Sequence, residues 1–325
     1  MVTIKDVAKR AGVSVSTVSY VINNKKKVKL QTKEKIFKVI DELNYSPNLT
    51  ARSLKTKRTN SIGVIVPDLS NMFFTEIIKG IEDATSKKDY VIILCSTYEN
   101  VEKEEKDLKT LLQKDIDGLI FISTGKTHIP QINKKVPIVL VDRKLDASYL
   151  SVMLNNKRGG FLATDHLLDK KNSEVFLFTG PLTINTYFER MNGYLEALKK
   201  HGYEYNEKLI INCDVSYNGG IEAFKKLVNN ITEIKSIFAA NDLIALGVIK
   251  AVLQSGLKIP EDIIIVGFDD IPTSSIVNPS LTTIRQPTYL MGTKAAELIL
   301  NQLSNKPIEN KHIILEPELI IRDTT

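Results

Sequence analysis

Cysteine is scarce in this 325-residue chain: there are two, Cys95 and Cys213, and no CxxC pattern. Neither a disulfide framework nor a cysteine metal site can be read from them. Long apolar runs are missing too. The richest, 62–66 and 91–95, are strand-sized, far short of the roughly 18–20 residues of a membrane span. The N-terminus, MVTIKDVAKR, is charged where a secretion signal needs its apolar stretch. These absences point to the cytoplasm, with no membrane partner. Catalytic signatures are lacking as well. No GxGxxG follows a strand, no GxxxxGK[ST] or GxSxG occurs, and His128, His166, His201 and His312 are scattered with no HExxH. The expectation is a protein that is not an enzyme and holds neither metal nor cofactor. What remains is ordinary globular material, 43% hydrophobic and 25% charged, long enough for two or three cores.

The net charge of +6 is unevenly placed. Residues 1–60 carry 14 Lys/Arg against four acids, so that the other 265 residues are net acidic by 4. A basic head on a mildly acidic body suggests a polyanion-binding module joined to a second binding function. A merely solubilising tail would lack apolar periodicity, and this segment has it. Thr3 and Asp6 read as a capping box, with Ile4, Val7, Ala8 and Ala11 at helical spacing and Gly12 as the stop. Ser14 caps a second helix to about Asn23, with Val18, Val21 and Ile22 inward and Val15, Ser16, Thr17 and Tyr20 outward. A third helix is expected over about 33–43 after Thr32, burying Ile36, Phe37, Ile40 and Leu43. Three short helices with a glycine turn between the first two form a helix-turn-helix unit, whose second helix enters the DNA major groove. Taken singly, Ser16, Thr17 and Tyr20 could be ordinary surface residues; the basic charge turns the reading toward DNA.

From Ser61 onward short apolar runs alternate with amphipathic stretches, the pattern of an α/β protein with parallel sheets covered on both faces. Strands are expected at 62–66, 90–95, 118–122, 137–142, 151–154, 174–179, 208–213, 236–240, 263–268 and 281–285, with a last one at 312–321. Ten strands divide better into two sheets, split near 156–160. A ligand cleft then lies between two lobes, at the C-terminal ends of the strands. Those ends carry Asn71, Phe73 and Phe74, then Asp142-Arg143, Asn241-Asp242, Asp269-Asp270 and Gln286, with Arg190 opening a helix. Aromatic rings covering an apolar face, beside carboxylates, amides and guanidinium, suit a polyhydroxylated ligand. Each residue alone has a bland reading as cap, surface ion pair or core.

The run TIKDVAKRAGVSVSTVSYVIN, followed by LNYSPNLTARSLKTKRTNSIGVIVPD, resembles the lactose-repressor (LacI/GalR) family of bacterial transcription regulators, and the likeness covers the whole chain. The resemblance implies a helix-turn-helix domain at 1–46, a hinge at 47–59 and an effector-binding and dimerisation domain at 60–325. That last domain would be a type I periplasmic-binding-protein-like body with an N-lobe of about 60–156 plus 288–304 and a C-lobe of about 157–286 plus 308–325. It implies base contacts from Val15, Ser16 and Tyr20, and backbone contacts from Thr17 and Ser19. It also implies a hinge helix that wedges Leu54 into a minor-groove step, with Lys55 beside it. The full DNA-contacting set adds Thr3, Ser14, Asn23, Asn48 and Arg52. The operator implied is a palindrome with a central CG step, bound by a homodimer, and the chain's stop soon after 312–321 is expected to leave it without the appended tail that makes tetramers.

In the body, Asn71, Phe73, Phe74, Asp142, Arg143, Arg190, Asn241, Asp269 and Gln286 fall on the sugar-contacting positions of proteins similar to bacterial ribose-binding proteins. A further stacking aromatic of that pattern falls at Val215, and Tyr217 is the expected replacement. The function implied is a repressor released from its operator by a sugar, with D-ribose or another pentose as effector. A corepressor regulator answering to a purine or a phosphorylated partner protein stays open. A transport sugar-binding protein would share the cleft but lack the basic head.

Overall fold

The computed structural model describes residues 2–22, 28–45, 58–125, 136–145, 147–171, 173–228 and 234–325. The chain forms two compact units, Met1–Thr59 and Asn60–Thr325. Among the described residues no helix is long and apolar enough to cross a membrane.

Among its described residues the first unit holds three helices, α1 (Ile4–Ala11), α2 (Val15–Ile22) and α3 (Leu30–Glu42). The Asp6 carboxylate accepts from Thr3 N at 2.8 Å and from the Thr3 hydroxyl at 2.7 Å, fixing the start of α1. Those bonds favour the ionised form and hold the Asp6 carboxyl below its ordinary pKa. Gly12 ends α1 at φ 66°, a left-handed position that costs glycine little. Val7, Ala8, Ala11, Val18, Val21, Ile36 and Val39 are the buried core. Two expectations need correction. The third helix starts at Leu30 rather than 33, with the Lys29 carbonyl accepting from Thr32 and Lys33 N–H, so Thr32 lies inside the helix and is not its cap. Phe37 is 49% exposed, and Val39 takes the inward position that a helix turning 100° per residue offers beside Ile36 and Ile40.

Among its described residues the second unit has two six-stranded sheets. The first contains β1 (Ser61–Val66), β2 (Val91–Ser96), β3 (Gly118–Phe121), β4 (Ile138–Val141), β5 (Leu150–Leu154) and β11 (His312–Leu315), in the order β11-β5-β4-β3-β1-β2 and parallel throughout. The second contains β6 (Val175–Thr179), β7 (Ile210–Asn212), β8 (Ser236–Ala239), β9 (Ile264–Asp269), β10 (Thr282–Arg285) and β12 (Glu318–Ile320), in the order β12-β10-β9-β8-β6-β7. It is parallel except for β12, which runs antiparallel to β10 at its edge. Alternate residues of one strand feed opposite faces: Val64 packs in one core with Ile77, Ile81 and Met291, while Ile65 packs in the other with Leu108 and Phe121.

The expected single strand at 312–321 is two strands in two different sheets. Pro317, between them, has no N–H to give a ladder. Residues 312–315 therefore pair with β5 in the first lobe rather than lying wholly in the second as expected.

Among the described residues seven helices cover the sheets: α4 (Met72–Ser86), α5 (Val101–Gln113), α6 (Asn156–Lys170), α7 (Asn185–Lys200), α8 (Tyr217–Val228), α9 (Asp242–Gln254) and α10 (Thr288–Leu303). Two glycines set the crossing of α6 with α7. A Cβ on Gly160 would run into the Arg190 carbonyl, and one on Gly193 into that of Lys157. Glycine at both positions lets the helices approach closely enough to bring Arg190 beside Asn156, the first residue of α6.

Candidate functional site

In the head, the Ser14 hydroxyl accepts from Thr17 N at 3.1 Å and lies 2.8 Å from both the Ser16 and Thr17 hydroxyls. This cap starts α2 and leaves Val15, at 41% exposure, and Ser16 on its open side. Thr17, Ser19 and Tyr20 are half-buried along the same helix, and Thr3 is exposed at the start of α1. The polar N-terminal turn of α2 combines hydroxyls, one apolar side chain and helix N–H groups, the inventory used on base edges, thymine methyls and phosphates. Asn23, Asn48, Arg52, Leu54 and Lys55 lie outside the described residues.

In the body, a cavity of about 380 Å³ is lined from both lobes. Asn71, Phe73, Phe74, Asp142 and Arg143 come from the first lobe and Arg190, Asn241 and Asp269 from the second, so eight of the ten residues singled out in the sequence meet at one cavity. Asn71 caps α4 by accepting from Phe73 N at 3.0 Å. The cap turns the chain so that Phe73 and Phe74 meet edge to face, ring centroids 5.0 Å apart. Asn241 caps α9 by accepting from Ile244 N at 2.9 Å, so only its Nδ2 end can donate to a ligand.

Both guanidiniums are buried and held. Arg143 makes a two-pronged pair with Glu99, at 2.9 and 2.8 Å, and donates to the Ser123 carbonyl at 3.0 Å. Arg190 donates from Nε to Asn156 Oδ1 at 2.8 Å and from Nη1 to the Ala240 carbonyl at 2.5 Å. Its guanidinium stacks 3.7 Å from the Phe268 ring centroid and lies 3.7 Å from Asp269 Oδ1. Burial pushes the Asp269 carboxyl well above its ordinary value, with Arg190 opposing. Burial likewise raises Asp142, against the pull of Arg143 and Arg190. Three cavity carboxylates, those of Glu99, Asp142 and Asp269, sit on positive-φ backbone at 56°, 64° and 120°. Such positions persist where surroundings impose them, and they concentrate at functional sites. Asp142 Oδ1 and Arg143 Nε are buried with no hydrogen-bond partner.

Two of the ten fall elsewhere. Gln286 is not part of the cavity wall; it stands behind Asp269 and donates to its Oδ1 at 2.7 Å. Tyr217 is 43% exposed and outside the lining, because it is the first residue of α8 and its carbonyl backs onto Gly247 of α9. Val215 is on the wall itself, and the ring that lines the cavity from the second lobe is Tyr187, whose hydroxyl burial pushes up to about 12. Tyr187 and Glu99 were not singled out in the sequence. Tyr187 stands three residues before Arg190, on the same helix face, and Glu99 follows β2 as other cavity residues follow their strands. Asp242, by contrast, belongs to the framework: it accepts from Ser274 Oγ, Thr283 Oγ1 and Ile271 N, at 2.6, 2.6 and 2.9 Å.

A helix-turn-helix head and a two-lobed body with a polar cavity are the architecture of a ligand-controlled DNA-binding regulator. Residues 3–48 match the bacterial regulatory proteins of the lacI family, and residues 59–320 match the periplasmic binding proteins and sugar binding domain of the LacI family. The chain belongs to the LacI family. It is 36% identical to the ribose operon repressor of Halalkalibacterium halodurans, over 100% of this chain and 97% of that one. It is also 36% identical to the transcriptional repressor PurR of Pasteurella multocida, over 99% and 98%. Among solved structures, the lac repressor dimer bound to operator and the anti-inducer ONPF matches with TM-score 0.87 at 27% identity, covering 99% of this chain and 98% of that one. A LacI family regulator from Enterococcus faecium with bound ribose matches with TM-score 0.73 at 29% identity, covering 82% and 98%.

Proposed function

We propose that this chain is a repressor that binds a palindromic operator as a homodimer and leaves it when a pentose, D-ribose, occupies the cavity between the lobes. One observation carries the sugar reading. Carboxylates and guanidiniums from both lobes converge on one cavity, and within its wall Asp142 Oδ1 and Arg143 Nε are buried without partners. A buried polar atom left unpaired costs about 1–3 kcal/mol. Sugar hydroxyls can donate to the carboxylates of the cavity and accept from its guanidiniums, while Phe73 and Phe74 cover an apolar ring face. The names of the Halalkalibacterium and Enterococcus proteins favour ribose as the pentose.

On this proposal, Ser14, Val15, Ser16, Thr17, Ser19 and Tyr20 meet the major groove, and Leu54 with Arg52 and Lys55 the central minor groove. Sugar favours the closed arrangement of the lobes, closure changes the spacing of the hinges in the dimer, and operator affinity falls. The coupling is reciprocal, so operator DNA weakens sugar binding by the same factor.

Thermal unfolding with D-ribose, D-xylose, D-glucose and hypoxanthine side by side tests the ligand. At about a thousand times Kd, linkage adds roughly 4 kcal/mol, a rise of several degrees in Tm. A rise with ribose alone supports the assignment, and one with another sugar replaces ribose by that sugar. A rise with hypoxanthine alone favours the corepressor reading, which the equal identity to PurR of Pasteurella multocida supports.

A further inference from the structure

We propose that Glu99 is a specificity-determining residue that bars phosphorylated ligands from the cavity by occupying Arg143. This rests on the cavity being the sugar site, and it narrows the ligand to neutral, unphosphorylated sugars.

Arg143 is the cation an anionic group would seek in the first lobe. Its two terminal nitrogens are already taken by Glu99 Oε1 and Oε2, and one of them also by the Ser123 carbonyl. Of its five N–H groups, one on Nη2 and the buried one on Nε are left over, and Nε lies 3.9 Å from Asp142 Oδ2. A phosphate is recognised by the two-pronged end of a guanidinium, whereas one hydroxyl needs a single N–H. Glu99 thus takes the outer fork of Arg143 and cancels its charge, which a phosphate dianion needs and a neutral hydroxyl does not.

Glu99 is well placed to keep this up. Its side chain is 47% exposed while that of Arg143 is 5% exposed, so the carboxylate closes the arginine from the water side. The turn that carries it is tied down: Glu99 N donates to the Pro67 carbonyl at 3.1 Å and Asn100 N to that of Thr97 at 3.1 Å. Tyr98 and Glu99 both hold positive φ, at 54° and 56°. Asn100 Oδ1 then accepts from Lys103 N at 2.8 Å and caps α5. Strained non-glycine backbone between two anchored ends fixes the carboxylate rather than letting it swing.

The rest of the cavity offers phosphate no substitute. Asp68, Asp142, Asp214 and Asp269 join Glu99 against two guanidiniums, and no lysine or histidine is among the described lining residues. Arg190 is already engaged with Asn156, the Ala240 carbonyl and the Phe268 ring. An incoming dianion would have to displace Glu99 or sit among surplus carboxylates, which is specificity by exclusion.

The test is thermal unfolding and titration calorimetry of the full chain with D-ribose, D-ribose 5-phosphate and inorganic phosphate. Wild type, Glu99→Gln, Glu99→Ser and Glu99→Asp are compared, the serine variant standing in should the glutamine variant not fold. Wild type and Glu99→Asp should ignore both phosphate compounds. The uncharged variants should be stabilised by inorganic phosphate and bind ribose 5-phosphate at least tenfold tighter than wild type. Equal responses to the phosphate compounds in wild type and the uncharged variants overturn the proposal, as does a gain in Glu99→Asp. Inorganic phosphate reads Arg143 without reference to ribose. A chain deaf to ribose whose uncharged variants alone respond to phosphate therefore loses the pentose reading and keeps this one.

Discussion

Arg143 and Arg190 face the same cavity from opposite lobes, and both are 4% exposed. They differ in what holds them. Arg143 is matched by a half-exposed carboxylate, Glu99, so its charge is cancelled where water can still reach the partner. Arg190 is held by an amide, a carbonyl and an aromatic face, all neutral, and keeps its charge for Asp269 at 3.7 Å. The first lobe thus offers an arginine whose charge is already matched. The second offers a live charge that supports a deeply buried carboxylate.

The largest expected effect comes from removing the second of these. Arg190→Ala strips Asn156, the Ala240 carbonyl and Asp269 of a buried partner together, and removing one member of a buried pair costs about 3–5 kcal/mol. Arg143→Ala should cost less, about 1–3 kcal/mol, because the half-exposed Glu99 is hydrated where it stands. Denaturant unfolding of the two variants measures the difference. Equal losses would mean that the two arginines are held alike.

Next is the support beneath Arg143. Glu104 is buried in α5 and accepts from Ser123 Oγ at 3.0 Å and Thr124 N at 2.7 Å, fixing the turn whose carbonyl receives Arg143. Glu104→Ala should lose about 1–3 kcal/mol, with hydrogen exchange quickened at residues 123–125. Unchanged exchange there would mean the turn is held by something else.

A smaller effect of opposite sign belongs to Asp269. Its folded pKa is raised above the unfolded value by burial, so its ionisation opposes folding. The penalty is absent below the unfolded pKa and grows as pH rises toward the folded one. Asp269→Asn should therefore raise the Tm of the ligand-free protein more at pH 8 than at pH 4, while weakening sugar binding at least tenfold. A Tm gain as large at pH 4 as at pH 8 would contradict the burial account.

The smallest effect lies in the head. Asp6 has a lowered folded pKa through its bonds from Thr3, so its contribution is present above the unfolded pKa and lost as pH falls through the folded one. Asp6→Asn should lower the head's melting temperature slightly at pH 7 and leave it unchanged near pH 2, as followed by circular dichroism. A loss that persists in acid would point to packing rather than charge.

Strand ends were the readable part of the cavity, because a parallel sheet delivers whatever comes after its strands to one edge. Asp142, Asn241 and Asp269 needed no further information. Gln286 also comes after a strand, yet it stops behind Asp269, since its sequence position does not say how deep the side chain reaches. Tyr217 failed for a related reason: two residues past Val215 the chain has already begun α8 and turned the ring outward. In the head, the run of Ile36, Phe37, Val39 and Ile40 allows two helical phases, and only packing against α1 and α2 chooses between them. Pro317 did carry a readable signal, the break between β11 and β12. That the two halves join different sheets is a tertiary fact, fixed by where β5 and β10 present free edges.

Control of DNA binding by a sugar in this cavity can be read in one assay. It is a D-ribose titration of the full chain bound to palindromic duplexes selected by the protein itself, for wild type and Asp269→Asn in parallel. Ribose should release wild type from the duplex, and the variant should need at least tenfold more. Release of both at the same concentration, or retention of wild type at saturating ribose, would rule out control through this cavity.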